Sequence, residues 1–128
     1  MKAKTFKLFM GCLGNGISCS NSAVIENGDY KSVAHISPAG NIKLYVKPDY
    51  IPADAMKSIQ EAAARCKADT LSRLELELST NYGYMRTMDE ISNYTTMVTF
   101  DKFWSEYKNA GSRADKVEVI KKCYLENF

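Results

Sequence analysis

The segment from residue 53 to residue 78 carries a long stripe of apolar and small side chains at helical spacing. The stripe consists of Met56, Ile59, Ala63, Cys66, Thr70, Leu74 and Leu78. Because residues three and four apart share one face of an α-helix, this spacing predicts one long helix over 53–78. Pro52 and Asp54 suit its first turn, where a missing N–H is harmless and an acidic side chain favours the helix dipole. Such an apolar face needs a second apolar surface to pack against.

The residues before this helix alternate between apolar and polar side chains, as half-buried β-strands do. The predicted strands are Thr5–Met10, Ser22–Glu26, Tyr30–Ile36 and Ile42–Val46. Asn27-Gly28-Asp29 and Ser37–Asn41 are turn signals, and they predict hairpins between the last three strands. Residues 5–46 are therefore predicted to form an antiparallel meander of three or four strands, with one apolar face and one lysine-bearing face.

The remainder of the chain is predicted to be helical. Residues 79–86 are interpreted as a loop, and Thr87 to Glu90 matches a capping box that predicts the start of a short helix. Tyr94–Val98 favours a β conformation but is too short to assign. Asp101 and Ser112 are predicted to cap two further helices. The fold class is α+β in a single domain over 1–128: the meander at 5–46, the long helix at 53–78 packed on it, and a helical part at 87–126.

Composition excludes several classes of protein. The chain has 128 residues and a formal net charge of +2, which is too small to indicate nucleic-acid binding and is the wrong sign for an acidic DNA mimic. The sequence shows neither a membrane-spanning apolar run nor a signal peptide, so we expect an intracellular, cytoplasmic protein. Its four cysteines form no C-x-x-C pair and it has one histidine, His35, so we assign no metal site and no cofactor.

Three glycines within six residues stand in the segment Gly11-Cys12-Leu13-Gly14-Asn15-Gly16, directly after the first predicted strand. A strand followed by a glycine-rich loop often brings the backbone against a ligand. The segment lacks the Gly-Lys-Ser/Thr ending of a P-loop, and its glycine order differs from that of a Rossmann turn. We interpret it as a structural connection, in which Cys12 is a candidate exposed thiol.

A nucleotide or nucleic-acid site remains the alternative for this end of the molecule. It combines backbone groups of the glycine segment with lysines expected on the outer sheet face, near Tyr45. Its residues are Gly11, Gly14, Asn15, Gly16, Lys7, Lys31, Lys43 and Lys47. Surface lysines also protect sheet edges against aggregation, so their presence alone does not decide between the two interpretations. On a regular third strand, His35 shares its face with Lys31 and Val33, and no catalytic residue is assigned.

Aromatic residues of the second half suggest a different surface. Phe100, Phe103, Trp104 and Tyr107 recur at helical spacing and are interpreted as core. The tyrosines near the predicted loop are candidates for exposure, and exposed tyrosines are favoured anchors in protein interfaces. The candidate partner-binding residues are Tyr82, Tyr84, Arg86 and Tyr94.

A set of short segments in the first half resembles a known group of proteins. They are Phe9–Gly16, Asn27–Tyr30, Ala34–Ile36, Gly40–Ile42, Tyr45-Val46 and Tyr50–Pro52. Over about residues 5–65 the chain resembles small uncharacterised proteins encoded on phages and mobile elements of gut bacteria. That group implies a role in binding a host component, such as a CRISPR effector or another defence nuclease.

Two functional hypotheses follow. The first is a non-enzymatic, stoichiometric binding protein that inhibits a host defence system, as anti-CRISPR proteins do. The alternative is a nucleotide or nucleic-acid binder, including a sponge for signal nucleotides. An enzyme ranks last, because local spacing assembles no nucleophile, base and orienting group.

Overall fold

The computed structural model describes residues 6–13, 16–26 and 29–128, and these form an antiparallel sheet followed by a series of α-helices. The predicted α+β class and the long first helix are confirmed. The chain divides into two compact units, Met1–Lys67 and Ala68–Phe128. The first unit contains the sheet and the first part of the long helix, and the second contains the rest of that helix and the helices that follow it.

The sheet is a meander in which each strand pairs with the next one along the chain. Its strands are β1 (Leu8–Leu13), β2 (Gly16–Glu26), β3 (Asp29–Ile36) and β4 (Ile42–Leu44). All pairs are antiparallel, with Leu13 opposite Gly16 and Glu26 opposite Asp29. Thr5, Gly14, Asn15, Asn27 and Gly28, which the sequence placed in the first strand and in two connections, lie outside the described residues.

Five strand boundaries differ from the predicted ones, and that of β3 differs only by one residue, at Asp29. β1 begins later than Thr5–Met10 and runs on through Gly11 and Cys12, and β4 ends at Leu44, before the predicted Val46. The largest error concerns β2, which begins at Gly16 and not at Ser22. Its serines suggested a turn, but Ser18 and Ser20 alternate with Ile17 and Cys19 and pair on both sides with neighbouring strands. Ladder hydrogen bonds and an apolar inner face therefore override the turn preference of serine.

A β-bulge at Val33 changes which side chains of β3 face the helix. Cys19 pairs with Ala34 and Ser20 pairs with Ser32, so Val33 is an extra residue between them. Val33 and Ala34 are consecutive, yet both are fully buried. The prediction that Lys31 and Val33 share a face with His35 is therefore wrong, because it assumed uninterrupted alternation along β3.

The first unit has its own apolar core, made by the inner face of the sheet and the first part of α1 (Ala53–Leu78). Its buried members are Cys19, Val33, Ala34, Ile36, Ile51, Ala55, Ile59, Ala62 and Ala63. Three alanines, Ala55, Ala62 and Ala63, form part of the helix side of this core. The turn after β3 also packs on this helix, because a Cβ atom added to Gly40 would lie 2.3 Å from the carbonyl oxygen of Ala63.

The second unit contains the end of α1 and three further helices. They are α2 (Asn81–Tyr94), α3 (Met97–Asn109) and α4 (Arg113–Asn127). Their shared core contains Leu74, Leu78, Tyr84, Ile91, Phe103, Ile120, Cys123 and Tyr124. All of these residues except Cys123 have large side chains, so this core relies on long aliphatic and aromatic groups where the first relies on alanine.

Each of the three shorter helices begins with a hydroxyl side chain that accepts a backbone N–H. Thr80 accepts from Gly83 N at 3.0 Å, Thr96 from Thr99 N at 3.2 Å and Ser112 from Asp115 N at 3.1 Å. The prediction for Ser112 is confirmed.

The other two predicted helix starts are wrong, because Thr87 and Asp101 lie inside helices. Thr87 is buried and donates its hydroxyl to the Gly83 carbonyl at 2.8 Å, while Asp101 is exposed on α3. The predicted loop 79–86 is mostly the first turns of α2, and Tyr94–Val98 joins two helices without forming a strand.

Candidate functional site

The glycine segment forms part of a β-hairpin. Gly11 lies within β1 opposite Ser18, and Gly16 opens β2. Gly16 has a φ of 115°, and a Cβ atom there would lie 2.1 Å from the carbonyl oxygen of Ile36. This glycine is therefore explained by its packing against β3. A strand follows the segment, whereas the phosphate-binding loops with which it was compared lead into a helix.

The four candidate lysines are divided between surfaces. Lys43 pairs with His35 on the outer face of the sheet, and Lys7 is held beside β2 by a bond from Ser22 N to its carbonyl. Lys31 pairs with the buried Asn21 on the opposite face, with its Nζ 4.4 Å from the centre of the Tyr50 ring. Lys47 is exposed beyond the end of β4. The structure thus brings Lys7 and Lys43 to one face and separates Lys31 from them.

We define the outer face as the side of the sheet that faces away from α1. Strand register assigns to it the side chains of Phe9, Ser18, Ser20, Ser32, His35 and Lys43 together with Gly11. Lys7 and Tyr45 lie just outside β1 and β4, and each stands between two residues that pack on the core, so their side chains face outward as well. Phe9 is 53% exposed and Tyr45 is 52% exposed. Two aromatic rings therefore lie half open to solvent at opposite edges of the sheet, and the other described side chains of this face are small, polar or basic.

The four candidate partner-binding residues do not share one surface. Tyr82 is 78% exposed, and Arg86 follows four residues later with its guanidinium 5.9 Å from the Tyr82 ring. Tyr84 is only 7% exposed, because it lies about 200° around α2 from Tyr82 and belongs to the core. Its ring is covered by Arg113 at 3.8 Å, and its hydroxyl lies 2.8 Å from that of Tyr107. Tyr94 lies at the far end of the helix, about 18 Å from Tyr82 along the axis.

Tyr94 instead belongs to a group of exposed apolar residues where α2 passes into α3. We call Tyr94, Met97 and Val98 the apolar patch. They are 75%, 82% and 80% exposed, respectively. The sequence reading missed Met97 and Val98 because it treated them as β-prone. The cap at Thr96 was the available signal, since it places both in a first helical turn.

The aromatic stripe of α3 is only partly core. Phe103 is buried, whereas Trp104 is partly exposed on a neighbouring face. The rings of Phe100 and Trp104 stack with centroids 6.2 Å apart, and those of Trp104 and Tyr107 stack at 5.3 Å. Met97, Phe100 and Trp104 stand at helical spacings of three and four. The apolar patch therefore continues along α3 as a row of aromatic rings.

A polar network links α1, α2 and α4 within the second unit. Arg73 donates to the Tyr124 hydroxyl at 2.9 Å, and that hydroxyl donates to Glu90 at 3.0 Å. The pKa of Tyr124 is raised above its ordinary value, mainly by burial. The hydrogen bond from Arg73 lowers this pKa and the one to Glu90 raises it. Glu77 accepts from both Arg73 and Arg86. Each charged group of this network therefore bonds to another member of it, and we interpret the network as structural.

The second unit has a small cleft, and the described residues contain no metal-binding cluster. A cleft between α3 and α4 has a volume of about 30 Å³, little more than a water molecule occupies. No group of three His, Cys, Asp or Glu side chains is arranged to hold a metal ion in this part of the chain.

The cysteines are unpaired, and burial distinguishes them. Cys12 is exposed, in agreement with the sequence reading, while burial raises the pKa of Cys19 and of Cys123. Among the helices of the described residues, none is both long and apolar enough to cross a bilayer.

Comparisons of the chain with protein-family models, with curated proteins and with solved structures found no match.

Proposed function

We propose that this chain is a non-enzymatic protein that binds a partner protein through the apolar patch. The observation that carries the proposal is the exposure of Tyr94, Met97 and Val98, all above 70%, in one short stretch of chain. Contiguous exposed apolar groups mark interaction surfaces, since isolated ones are ordinary but clusters are not. Tyrosine and methionine are both enriched where proteins meet.

The surroundings of the apolar patch support the same function. Phe100 and Trp104 continue the patch along α3, and tryptophan is among the residues that contribute most to binding energy. Asp101, Lys102 and Ser105 are exposed on the same helix. Interfaces commonly combine an apolar centre with such a polar rim.

A protein partner suits this surface better than a small molecule does. Small-molecule sites are concave and enclose roughly 300–1,000 Å³. The apolar patch is formed by a helix end and the next helix start, which project their side chains outward, and the cleft on the other side of α3 is far smaller than that range.

We further propose that the partner is a host protein and that binding inhibits it at a one-to-one ratio. The basis is the resemblance of residues 5–65 to small proteins of phages and mobile elements. A nuclease of a bacterial defence system is the class of partner that this resemblance suggests.

The test uses two variants with matched charge changes. Met97→Asp with Val98→Asp alters the apolar patch, and Tyr82→Asp with Met85→Asp alters two other exposed residues of the second unit. The wild-type chain is used to capture host proteins, and calorimetry then measures the affinity and stoichiometry of each captured protein. We expect one partner at a one-to-one ratio, at least 30-fold weaker binding by the patch variant, and less than threefold weakening by the control.

Equal retention of every captured protein by both variants would contradict the proposal, provided circular dichroism shows that both fold. Capture of nothing above background by the wild-type chain from several hosts would contradict it as well. A purified partner whose activity is unchanged by saturating amounts of the chain would exclude inhibition while leaving binding in place.

A further inference from the structure

The outer face of the sheet carries a group of aromatic and basic side chains that is separate from the apolar patch. Phe9 on β1 and Tyr45 just after β4 stand at opposite edges, separated by three strand spacings, or about 14 Å. The ring of Phe9 lies beside Gly11, two residues along the same strand, with its Cε1 atom 3.4 Å from where a Cβ of Gly11 would be. The ring of Phe9 therefore lies along the strand beside Gly11.

The row of residues beside Phe9 has small side chains. Ser20 and Ser32 pair across β2 and β3 in the row that contains Phe9, and Ser18 pairs with His35 in the next row. Glycine and serine side chains project little above a sheet. A flat ligand resting on Phe9 therefore meets only serine side chains in the centre of that row, and the ring of His35 in the next row lies beside Gly16.

The charged side chains described on this face are basic. Lys7 and Lys43 are both exposed, and the described side chains of the outer face include no aspartate or glutamate. The Nζ of Lys43 lies 5.5 Å from the centre of the Tyr45 ring, so a positive charge stands directly beside one of the two aromatic surfaces. A ligand that combines flat rings with regularly spaced negative charges complements this arrangement.

We propose that the outer face binds single-stranded nucleic acid, with bases stacked on Phe9 and Tyr45 and phosphates beside Lys7 and Lys43. Aromatic side chains on an open sheet stack unpaired bases, and stacking tolerates any sequence because every base has a flat face. A duplex hides these faces inside its own stack. The occupant is therefore single-stranded, and this function is separate from the apolar patch of the second unit.

The experiment measures anisotropy of fluorescently labelled oligonucleotides of about 12 nucleotides, as DNA and as RNA, with the full chain at low and moderate salt. A hairpin duplex of equal charge is the competitor. Tyr45→Ala is expected to weaken binding by about 5- to 150-fold, the range measured for loss of one stacked base. Tyr45→Phe keeps the ring and is expected to retain the affinity within about twofold.

Charge is tested with two single substitutions. Lys43→Gln is expected to reduce the slope of log affinity against log salt by about 0.7, as loss of one phosphate contact does for a single strand. Lys57→Gln removes an exposed lysine from α1 and is the matched control, expected to leave the slope unchanged. Phe9→Ala repeats the stacking test at the other edge if Tyr45→Ala fails to fold.

Three results would overturn the proposal. The first is no binding of any single strand at low salt. The second is equal affinity for the duplex, which would show that bases are not stacked. The third is equal weakening by Lys57→Gln and Lys43→Gln, which would indicate attraction by overall charge. Met97→Asp with Val98→Asp is expected to bind oligonucleotides normally, so this inference and the proposed protein partner fail or succeed separately.

Discussion

Glycines illustrate how a single residue can be recognised in the sequence yet misinterpreted. The glycine-rich segment stood out, and the natural interpretation was a loop that approaches a ligand. In the structure Gly16 approaches the backbone of Ile36, and Gly40 approaches that of Ala63. Close contact with the chain's own backbone and close contact with a ligand require the same missing side chain, so sequence alone does not distinguish them.

Gly40→Ala is expected to destabilise the protein by more than about 1 kcal/mol. Gly40 has a φ of 86°, which a side chain disfavours, and the added methyl group would meet the backbone of α1 at Ala63. Chemical denaturation measures the loss. Gly111→Ala is the control, because its added methyl group would have space and its φ is ordinary, so a change within about 0.5 kcal/mol is expected. Equal effects of the two substitutions would refute this explanation.

Because of Tyr84, the free energy of unfolding is expected to fall as the pH rises above 10. Burial, and then its hydrogen bond with Tyr107, raise the pKa of Tyr84 to about 12, from an ordinary value near 10. The folded chain holds the proton of the Tyr84 hydroxyl more tightly than the unfolded chain does. The contribution of this proton to the free energy of unfolding is therefore complete below pH 10 and is lost as the pH rises towards 12.

Denaturation at a series of pH values tests this dependence. The unfolding free energy of Tyr84→Phe should fall less steeply than that of the wild-type chain between pH 10 and pH 12. Tyr82→Phe, at an exposed tyrosine, should follow the wild-type curve. A Tyr84→Phe curve parallel to the wild-type curve would show that this hydroxyl does not carry the effect.

At the level of secondary-structure elements, prediction succeeded where one pattern was long and uninterrupted. α1 was predicted at its observed bounds because its stripe extends over about six turns of helix. The start of α2 was missed because Tyr82 and Gly83 resemble a loop, while the decisive cap at Thr80 is a single side chain. The apolar patch was missed for the same reason. Its exposure follows from a helix start that competing β propensity concealed.

Thr96→Ala is expected to lower stability by about 1 kcal/mol, because it leaves an amide at the start of α3 without its partner. Thr96→Ser keeps the hydroxyl and should retain most of the stability. Thermal unfolding of the three chains measures the difference. If Thr96→Ala and Thr96→Ser lower the stability by the same amount, the lost interaction is packing of the threonine methyl group and not capping.

The whole molecule contains two apolar cores, one in each compact unit. The sequence indicated the first, because a sheet and a helix with matching apolar faces define it. The second draws one to three residues from each of four helices, and no periodicity relates Leu74 and Phe103 to Ile120. Long-range packing of this kind is not encoded in any local window, which is why Tyr84 was expected outside and is buried.

Substitutions in the two cores are expected to have separate local effects. Ile59→Ala and Ile120→Ala each remove a fully buried side chain and should cost about 2–5 kcal/mol. Native-state hydrogen exchange measures where protection falls. Ile59→Ala should lower it mainly in β2, β3 and the first part of α1, and Ile120→Ala mainly in α2, α3 and α4. Equal loss throughout the chain in both variants would show one cooperative unit.

The bulge at Val33 makes this residue the one position where β3 can lose length and keep both of its faces. Lys31 faces the helix side and Lys43 faces the open side, while Ser32 and Ala34, the two neighbours of Val33, already face opposite ways. Deletion of Val33 would therefore restore strict alternation and leave every pairing with β2 in place. Loss of this residue would shorten the strand without exchanging the charged surface of one face for that of the other.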